Sequence, residues 1–426
     1  MRMSKQEKKA LMPALRFPEF RDESEWDVKP FEEAFKRLTT KNLENNKNAL
    51  TISAQQGLVS QLDYFNKKIA AKDLTGYYLL HKGDFAYNKS YSKGYPMGAI
   101  KPLKLYDKGV LSTLYICFRA KKGYNESFFE HYFEAGLVNS EIGKIAQEGG
   151  RAHGLLNVSV KEFFKDVNLL VPRSKEQKRV ADCLTSIDDL ITSQTQKLDG
   201  LKAHKKGLMQ QLFPPEGETI PKLRFSEFDD DLKAVGFAEL GEIKIGLTHR
   251  PEYIESGKPF LSSKNISNGY IDFENVKYIS EEKFSSMPQS TKPKVGDILF
   301  TRVGSNLGNP IIIEEDREFG IFVSLGIFRV NKGVSNYYIK HWMDSDFFWD
   351  QVKQKVAGGA KDNLNTTWLK EFKLSIPSFR EQQKIADFLS FADELITTQI
   401  QTIDALKDHK KGLMQQLFPE MDKAGA

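Results

Sequence analysis

The sequence predicts an α/β protein built as a pseudo-two-fold tandem duplication, in which two α/β modules are separated by two long antiparallel coiled-coil helices. Three observations carry that expectation. Residues 172–214 and 377–419 match at 26 of 43 positions at a constant offset of 205, both ending in His-Lys-Lys-Gly-Leu-Met-Gln-Gln-Leu-Phe-Pro. Each copy carries a seven-residue apolar repeat. Each is also preceded by a segment that opens on Pro-x-Leu-Arg-Phe-x-Glu-Phe, at Pro13–Phe20 and Pro221–Phe228. A globular segment followed by a rod is therefore written twice.

The chain divides into a first module over 1–171, a first rod over 172–213, a linker over 214–220, a second module over 221–376 and a second rod over 377–418. In the first module Leu79–Lys89 reads as strand with a Gly83-Asp84 turn, and Lys294–Arg302 repeats the pattern around Gly296-Asp297. Leu111–Arg119 and Val323–Arg329 read as buried strands. Helical patterns follow at Glu126–Phe133 and Tyr337–Val356. Their aromatics, among them Phe128, Phe129, Tyr132, Trp342 and Phe348, recur at helical spacing and belong to a core rather than a base-stacking platform. A polar, Gly-rich loop closes each module, at 149–157 and 358–367, before a short apolar strand leads into the rod.

In the first rod the seam is Val180, Leu184, Ile187, Ile191, Gln194, Leu198 and Leu201, continuing to Lys205, Leu208 and Leu212. The second has Ile385, Leu389, Ala392, Ile396, Gln399, Ile403 and Leu406. Neither rod carries a proline after its first residue, and an uninterrupted helix of this size is ~60 Å long. The natural partner for each seam is the other copy, with Gln194 and Gln399 fixing register. The linker spans at most ~25 Å, which suits rods lying antiparallel. Leu190, Leu395, Met209 and Met414 lie off the seam, available to partner proteins or to a wider core.

A chain of 426 residues, 40% apolar and 28% charged, has the length and apolar content for two or three domains with substantial cores. Two cysteines, Cys117 and Cys183, make no disulfide framework and fit a reducing compartment. With no apolar signal core at its start and no run near the roughly 18 apolar residues of a membrane span, the chain is expected to be soluble and cytoplasmic. The net charge of +5 is uneven, with 27 Lys and Arg against 20 Asp and Glu in residues 1–171 but 21 against 22 in 221–376. That surplus permits nucleic-acid binding without requiring it.

Catalytic motifs are missing. The sequence has no Asn/Asp-Pro-Pro-aromatic motif for amino-methyl transfer, no Gly-rich loop ending in Gly-Lys-Ser/Thr and no His/Cys metal cluster. Glu242-Ile243-Lys244 after Asp231 imitates a nuclease triplet but lacks a convincing strand context. No catalytic residue, metal ligand or cofactor of its own is expected.

Two variable segments, each followed by Pro-x-x-x-Glu-Gln-x-[Lys/Arg]-[Val/Ile]-Ala-Asp at Pro172–Asp182 and Pro377–Asp387, resemble the specificity (S) subunit of type I restriction-modification enzymes. The resemblance implies that the modules are target recognition domains and the rods the shared regions between them. It further implies a subunit without catalysis that directs two methyltransferase (M) subunits, and then restriction (R) subunits, to a split double-stranded DNA sequence. S-adenosylmethionine would be the cofactor of the partner methyltransferase. The alternative is a coiled-coil scaffold whose modules bind proteins and not DNA.

Base reading needs donors and acceptors on protruding loops, and phosphate positioning needs cations. The loop after the Gly-Asp strand supplies Asn88, Lys89, Ser90, Ser92 and Lys93 in the first module and Arg302, Ser305 and Asn306 in the second. The Gly-rich loops add Arg151 and His153, then Lys361, Asn363 and Asn365. Thr51–Gly57 and Ser263–Gly269 rank below these loops, because Asn-Gly and similar pairs are also ordinary turns.

Overall fold

The computed structural model describes residues 11–65, 73–146, 156–267, 269–304, 306–356 and 363–419. The chain forms two compact units, one from Met1–Gln194 with Thr402–Ala426, the other from Thr195–Gln401. Each rod is thus shared, its head in one unit and its tail in the other.

In the first unit the elements that matter are β1 (Asp27–Pro30), β2 (Phe35–Arg37), β3 (Phe85–Asn88), β4 (Ala99–Pro102), β5 (Ile116–Ala120), α1 (Glu126–Glu134), α2 (Asn139–Ile145), β6 (Asn168–Val171) and the rod α3 (Ser174–Leu212). The main sheet has the order β2-β5-β3-β4, while β1 pairs with β6, all antiparallel. The second unit repeats this with β7 (Lys233–Gly236), β8 (Gly241–Ile245), β9 (Ile298–Thr301), β10 (Gly308–Ile312), β11 (Leu325–Val330), α4 (Asn336–Asp344), α5 (Asp346–Val356), β12 (Lys373–Ile376) and the rod α6 (Phe379–Leu417). Its sheet runs β8-β11-β9-β10, and β7 pairs with β12, again antiparallel. The duplication seen in the rods therefore extends to modules whose sequences barely match.

Aromatic residues fill both cores. Phe31 lies 4.6 Å from Phe35 and 4.9 Å from Phe118, and Phe128, Phe129, Tyr132 and Phe133 of α1 close over them. Met414, Leu417 and Phe418, from the tail of α6, complete this core. In the second unit Phe237 stacks on Phe328 at 4.2 Å, and Met209, Leu212 and Phe213 from the tail of α3 complete the cluster. Met209 and Met414 are thus core residues, whereas Leu190 and Leu395 stay 43% and 41% exposed. The run Leu111–Arg119 departs from a single strand. It breaks into Lys108–Leu111 and β5, because Tyr115 N donates to Ser112 O and turns the chain, leaving Leu114 exposed.

The rod-start motif has a structural job. Glu176 receives two hydrogen bonds from Arg16, at 2.8 and 2.7 Å, and one from Trp26 Nε1. Glu381 receives two from Arg224, both at 2.8 Å. The arginines are those of Pro-x-Leu-Arg-Phe, so the two short motifs are the halves of one buried ion pair. Gln177 and Gln382 each accept from the backbone N–H preceding a helix, at Asn125 and Ser335, and donate to the carbonyl of Pro172 or Pro377.

Within each unit the two helices run antiparallel. In the first, Val180, Ala181 and Leu184 share the core with Met414 and Leu417, and Asp188 pairs with Lys410 one to two turns further on. In the second, Asp393 pairs with Lys205, the equivalent residues. Beside each pair a buried histidine bonds a rod hydroxyl, His131 to Thr185 and His341 to Ser390, both at 3.1 Å. Along the seam Val180, Leu184, Ile385, Leu389, Gln399 and Ile403 are buried, and Ile187, Ile191, Gln194, Leu198, Leu201, Ile396 and Leu406 are half-buried.

Candidate nucleic-acid interface

Each Gly-Asp turn is a rivet that aims the following strand. Gly83 and Gly296 take φ of 91° and 88°, which favours glycine. The aspartate behind each caps the turn, Asp84 accepting from His81 N at 2.7 Å and Asp297 from Lys294 N at 2.9 Å. The same carboxylates hold an arginine of the central strand, Arg119 Nη2 at 2.8 Å and Arg329 Nη2 at 2.6 Å.

Beyond the strands, the two candidate loops of each unit meet. Leu156 N donates to the carbonyl of Lys89 at 2.9 Å, and Leu364 N to the carbonyl of Arg302 at 2.7 Å. Lys89 and Arg302 each stand six residues past the turn glycine, and each leucine precedes an asparagine. One backbone contact thus joins the loops at the same position of both folds.

The candidate side chains have different surroundings. Asn88, Lys89, Ser90 and Ser92 are half-buried along the first loop, Lys93 is exposed, and Asn88 Oδ1 accepts from Ser90 N at 3.0 Å. Arg302 turns inward instead of outward. At 7% exposure, its Nε donates to Leu364 O and its Nη1 to Val323 O, so it ties the loops together, and burial lowers its pKa. Asn365 caps the helix Thr366–Glu371 by accepting from Thr367 N. Asn363 bridges Val303 through its backbone, and its Oδ1 is buried with no partner among the described residues. Arg151, His153, Ser305 and Lys361 lie outside the described residues.

Asn306 brings in a third loop. Its Nδ2 donates to Ile266 O at 2.6 Å, and its Oδ1 accepts from Asn309 Nδ2 at 2.7 Å. The lower-ranked Ser263–Gly269 stretch thereby joins the main cluster, presenting exposed Lys264, Ser267 and Tyr270. Tyr270 lies beyond what the sequence signals, since one tyrosine in a two-residue strand leaves no periodic pattern. The other lower-ranked stretch forms a hairpin, Leu50–Ser53 with Gly57–Ser60, with Gln55 and Gln56 exposed at its tip.

Glu242-Ile243-Lys244 does lie on a strand, β8, contrary to the expectation, but exposed Glu242 pairs with Lys244 at 3.0 Å. Among the described residues no three His, Cys, Asp or Glu side chains converge as a metal site, and no helix is long and apolar enough to cross a membrane.

The fold and loops define a class: two equivalent modules, each displaying joined polar loops, tied through shared helices. Comparison with known proteins places the chain within that class. Residues 231–407 match the family model described as the type I restriction modification DNA specificity domain. The MjaVIII specificity subunit of Methanocaldococcus jannaschii is 25% identical over 321 residues, covering 73% of this chain and 74% of that one. The EcoKI specificity subunit of Escherichia coli is 23% identical over 193 residues, 44% of this chain and 40% of that one. The crystal structure of the type I S subunit from M. genitalium superposes with a TM-score of 0.54 at 13% identity, covering 96% of this chain and all of that one. A chain from a structural study of type I complex assembly and conformational transition also gives 0.54, at 14% identity and 94% and 97% coverage. Residues 231–407 thus carry the type I restriction modification DNA specificity domain, and over most of its length the chain is similar to a specificity subunit of a type I restriction enzyme.

Proposed function

We propose that this subunit binds a bipartite double-stranded DNA sequence with a fixed spacer, one half-site per module, and docks two methyltransferase subunits and then restriction subunits onto it. The observation that carries this reading is the repeated joining of two polar loops, at Lys89–Leu156 and Arg302–Leu364, on modules of one topology but different side chains. A shared backbone frame with unlike loop residues suits two different half-sites, because base edges are told apart by donor and acceptor pattern. The chain itself supplies no chemistry. The partner methyltransferase brings S-adenosylmethionine, and the complex works in the cytoplasm, beside the genome.

Co-expression with the methyltransferase subunit of its own system, in a host free of other adenine methylation, tests the reading. Single-molecule sequencing is expected to show modified adenines in one gapped, two-part motif that vanishes when this chain is omitted. A stable complex with no motif would favour the protein-binding scaffold.

A further inference from the structure

The duplication leaves one place where the units differ in a telling way. In the second unit the tail of α3 is closed off internally. Asp346, the first residue of α5, accepts from Gln210 Nε2 at 2.8 Å and pairs with Lys206 Nζ at 3.2 Å. Its carboxyl is held below the usual range by the Gln210 hydrogen bond, opposed by burial and helped by Lys206.

In the first unit the equivalent positions on the tail of α6 are Lys411 and Gln415. The turn after α1 carries Gly136 where the turn after α4 carries Asp346, with φ of 73°. Among the described residues no carboxylate takes the acid's place, since Glu134 nearby is held by Lys101 and Tyr95. Among the described residues neither Lys411 nor Gln415 has a partner, and a groove of about 650 Å³ opens between this turn and the α6 tail. Lys407, Lys410 and Lys411 line one wall, Asn139 and Ser140 the other, and Met414 and Leu137 add apolar surface. Lys410 is engaged by Asp188 and Lys407 by Asp404, so among the described residues lining the groove Lys411 is the cation left open.

We propose that this groove receives an acidic segment of the methyltransferase subunit, whose carboxylate takes the place that Asp346 fills in the second unit. The inference rests on the assembly reading above and adds the site and chemistry of one contact. A protein carboxylate fits better than a DNA phosphate. The second unit already fills the matching position with a carboxylate bonded to both a lysine and a glutamine, and the groove is concave with apolar surface rather than an open cationic face. The two units thus differ in docking chemistry although their folds match.

The test uses the full chain and the methyltransferase subunit of its own system, with affinity read by titration. Lys411→Glu is expected to weaken association by at least tenfold. Asn139→Asp puts a carboxylate into the groove with almost no change in volume, and is expected to weaken association while leaving the unfolding midpoint unchanged. If wild type binds and both variants bind equally well, the groove proposal is overturned and the assembly reading stands. If both variants assemble normally but Lys411→Glu loses DNA affinity in a salt-dependent way, the groove holds phosphate and the proposal fails. Failure of the wild-type chain to bind overturns both.

Discussion

Lys410 Nζ donates to both carboxylate oxygens of Asp188, at 2.6 and 2.7 Å, joining the tail of one rod to the head of the other. The Lys410 side chain is 16% exposed and that of Asp188 41%, between a surface pair and a buried one. Asp188→Ala should therefore destabilise by about 1–2 kcal/mol, above the usual surface value and below that of a fully buried pair. Replacing both residues, with Met at 410, should recover most of the loss. Urea midpoints at constant slope measure this, and an additive double mutant would show that the pair contributes nothing.

The buried histidines give the protein an acid sensitivity. Burial, reinforced by Lys410, pushes His131 down to about 4, and burial with Lys340 and Lys205 pushes His341 well below its ordinary value. Both are neutral when folded, whereas in the unfolded chain they protonate near pH 6.5. As pH falls below that value the unfolded state binds more protons, so this stability is present above about 6.5 and is lost toward 4. Unfolding midpoints at pH 7.5, 6 and 5 should fall, and fall less in the His131→Gln, His341→Gln variant. Parallel curves for the two proteins would remove the histidines as the cause.

The paired motifs rank themselves. Glu176 holds Arg16, 6% exposed, and Trp26 as well, whereas Glu381 holds Arg224, 20% exposed. Removing one partner of a buried pair typically destabilises by about 3–5 kcal/mol. Glu176→Ala should reach that range and Glu381→Ala fall below it, as read by thermal unfolding of the two variants side by side.

How much was legible follows from how local each signal is. The rods were readable because their apolar period is carried by consecutive residues, and the Gly-Asp turns because a positive φ and a capping aspartate sit side by side. The inward turn of Arg302 was not legible, because nothing near it in sequence reveals Leu364 and Val323, which claim its guanidinium from 62 and 21 residues away. Asn306 is a similar case: its bond to Ile266 spans 40 residues, so the third loop of the cluster was visible only as a separate turn. The Glu-Gln of the rod start identified a family by resemblance, while its reason, the reach back to Arg16 and Asn125, is a tertiary fact.

The loop assignments make separable predictions on DNA. Asn88→Ala should change only one half-site of the methylated motif, by about 1–3 kcal/mol of discrimination where a base contact is lost, and Asn306→Ala, whose amide holds Ile266 and Asn309, should degrade only the other by loosening the loops. Exposed Lys93 should behave as a phosphate contact, with Lys93→Ala lowering affinity for all sequences and reducing the salt slope by about one. Arg302→Ala should act through loop geometry, degrading its half-site as a whole. A motif unchanged in all four variants would remove these loops from the interface.

Each module should depend on a rod tail that arrives from elsewhere in the chain. Phe418 packs against Trp26, Phe128 and Tyr132 with ring centroids 6.2, 5.5 and 5.8 Å away, and is 2% exposed. Truncating such a residue to Ala typically destabilises by about 3–5 kcal/mol, from lost burial and from the cavity left behind. Phe418→Ala should therefore loosen the first unit, although the whole of the second module lies between Phe418 and those three partners in sequence. Amide exchange should rise at Phe128–Phe133 before it rises at Tyr338–Met343. Phe213, set 5.2 Å from Tyr338, makes the reciprocal case, and Phe213→Ala should reverse that order. Equal loosening of both units by either variant would mean that the two cores unfold as one.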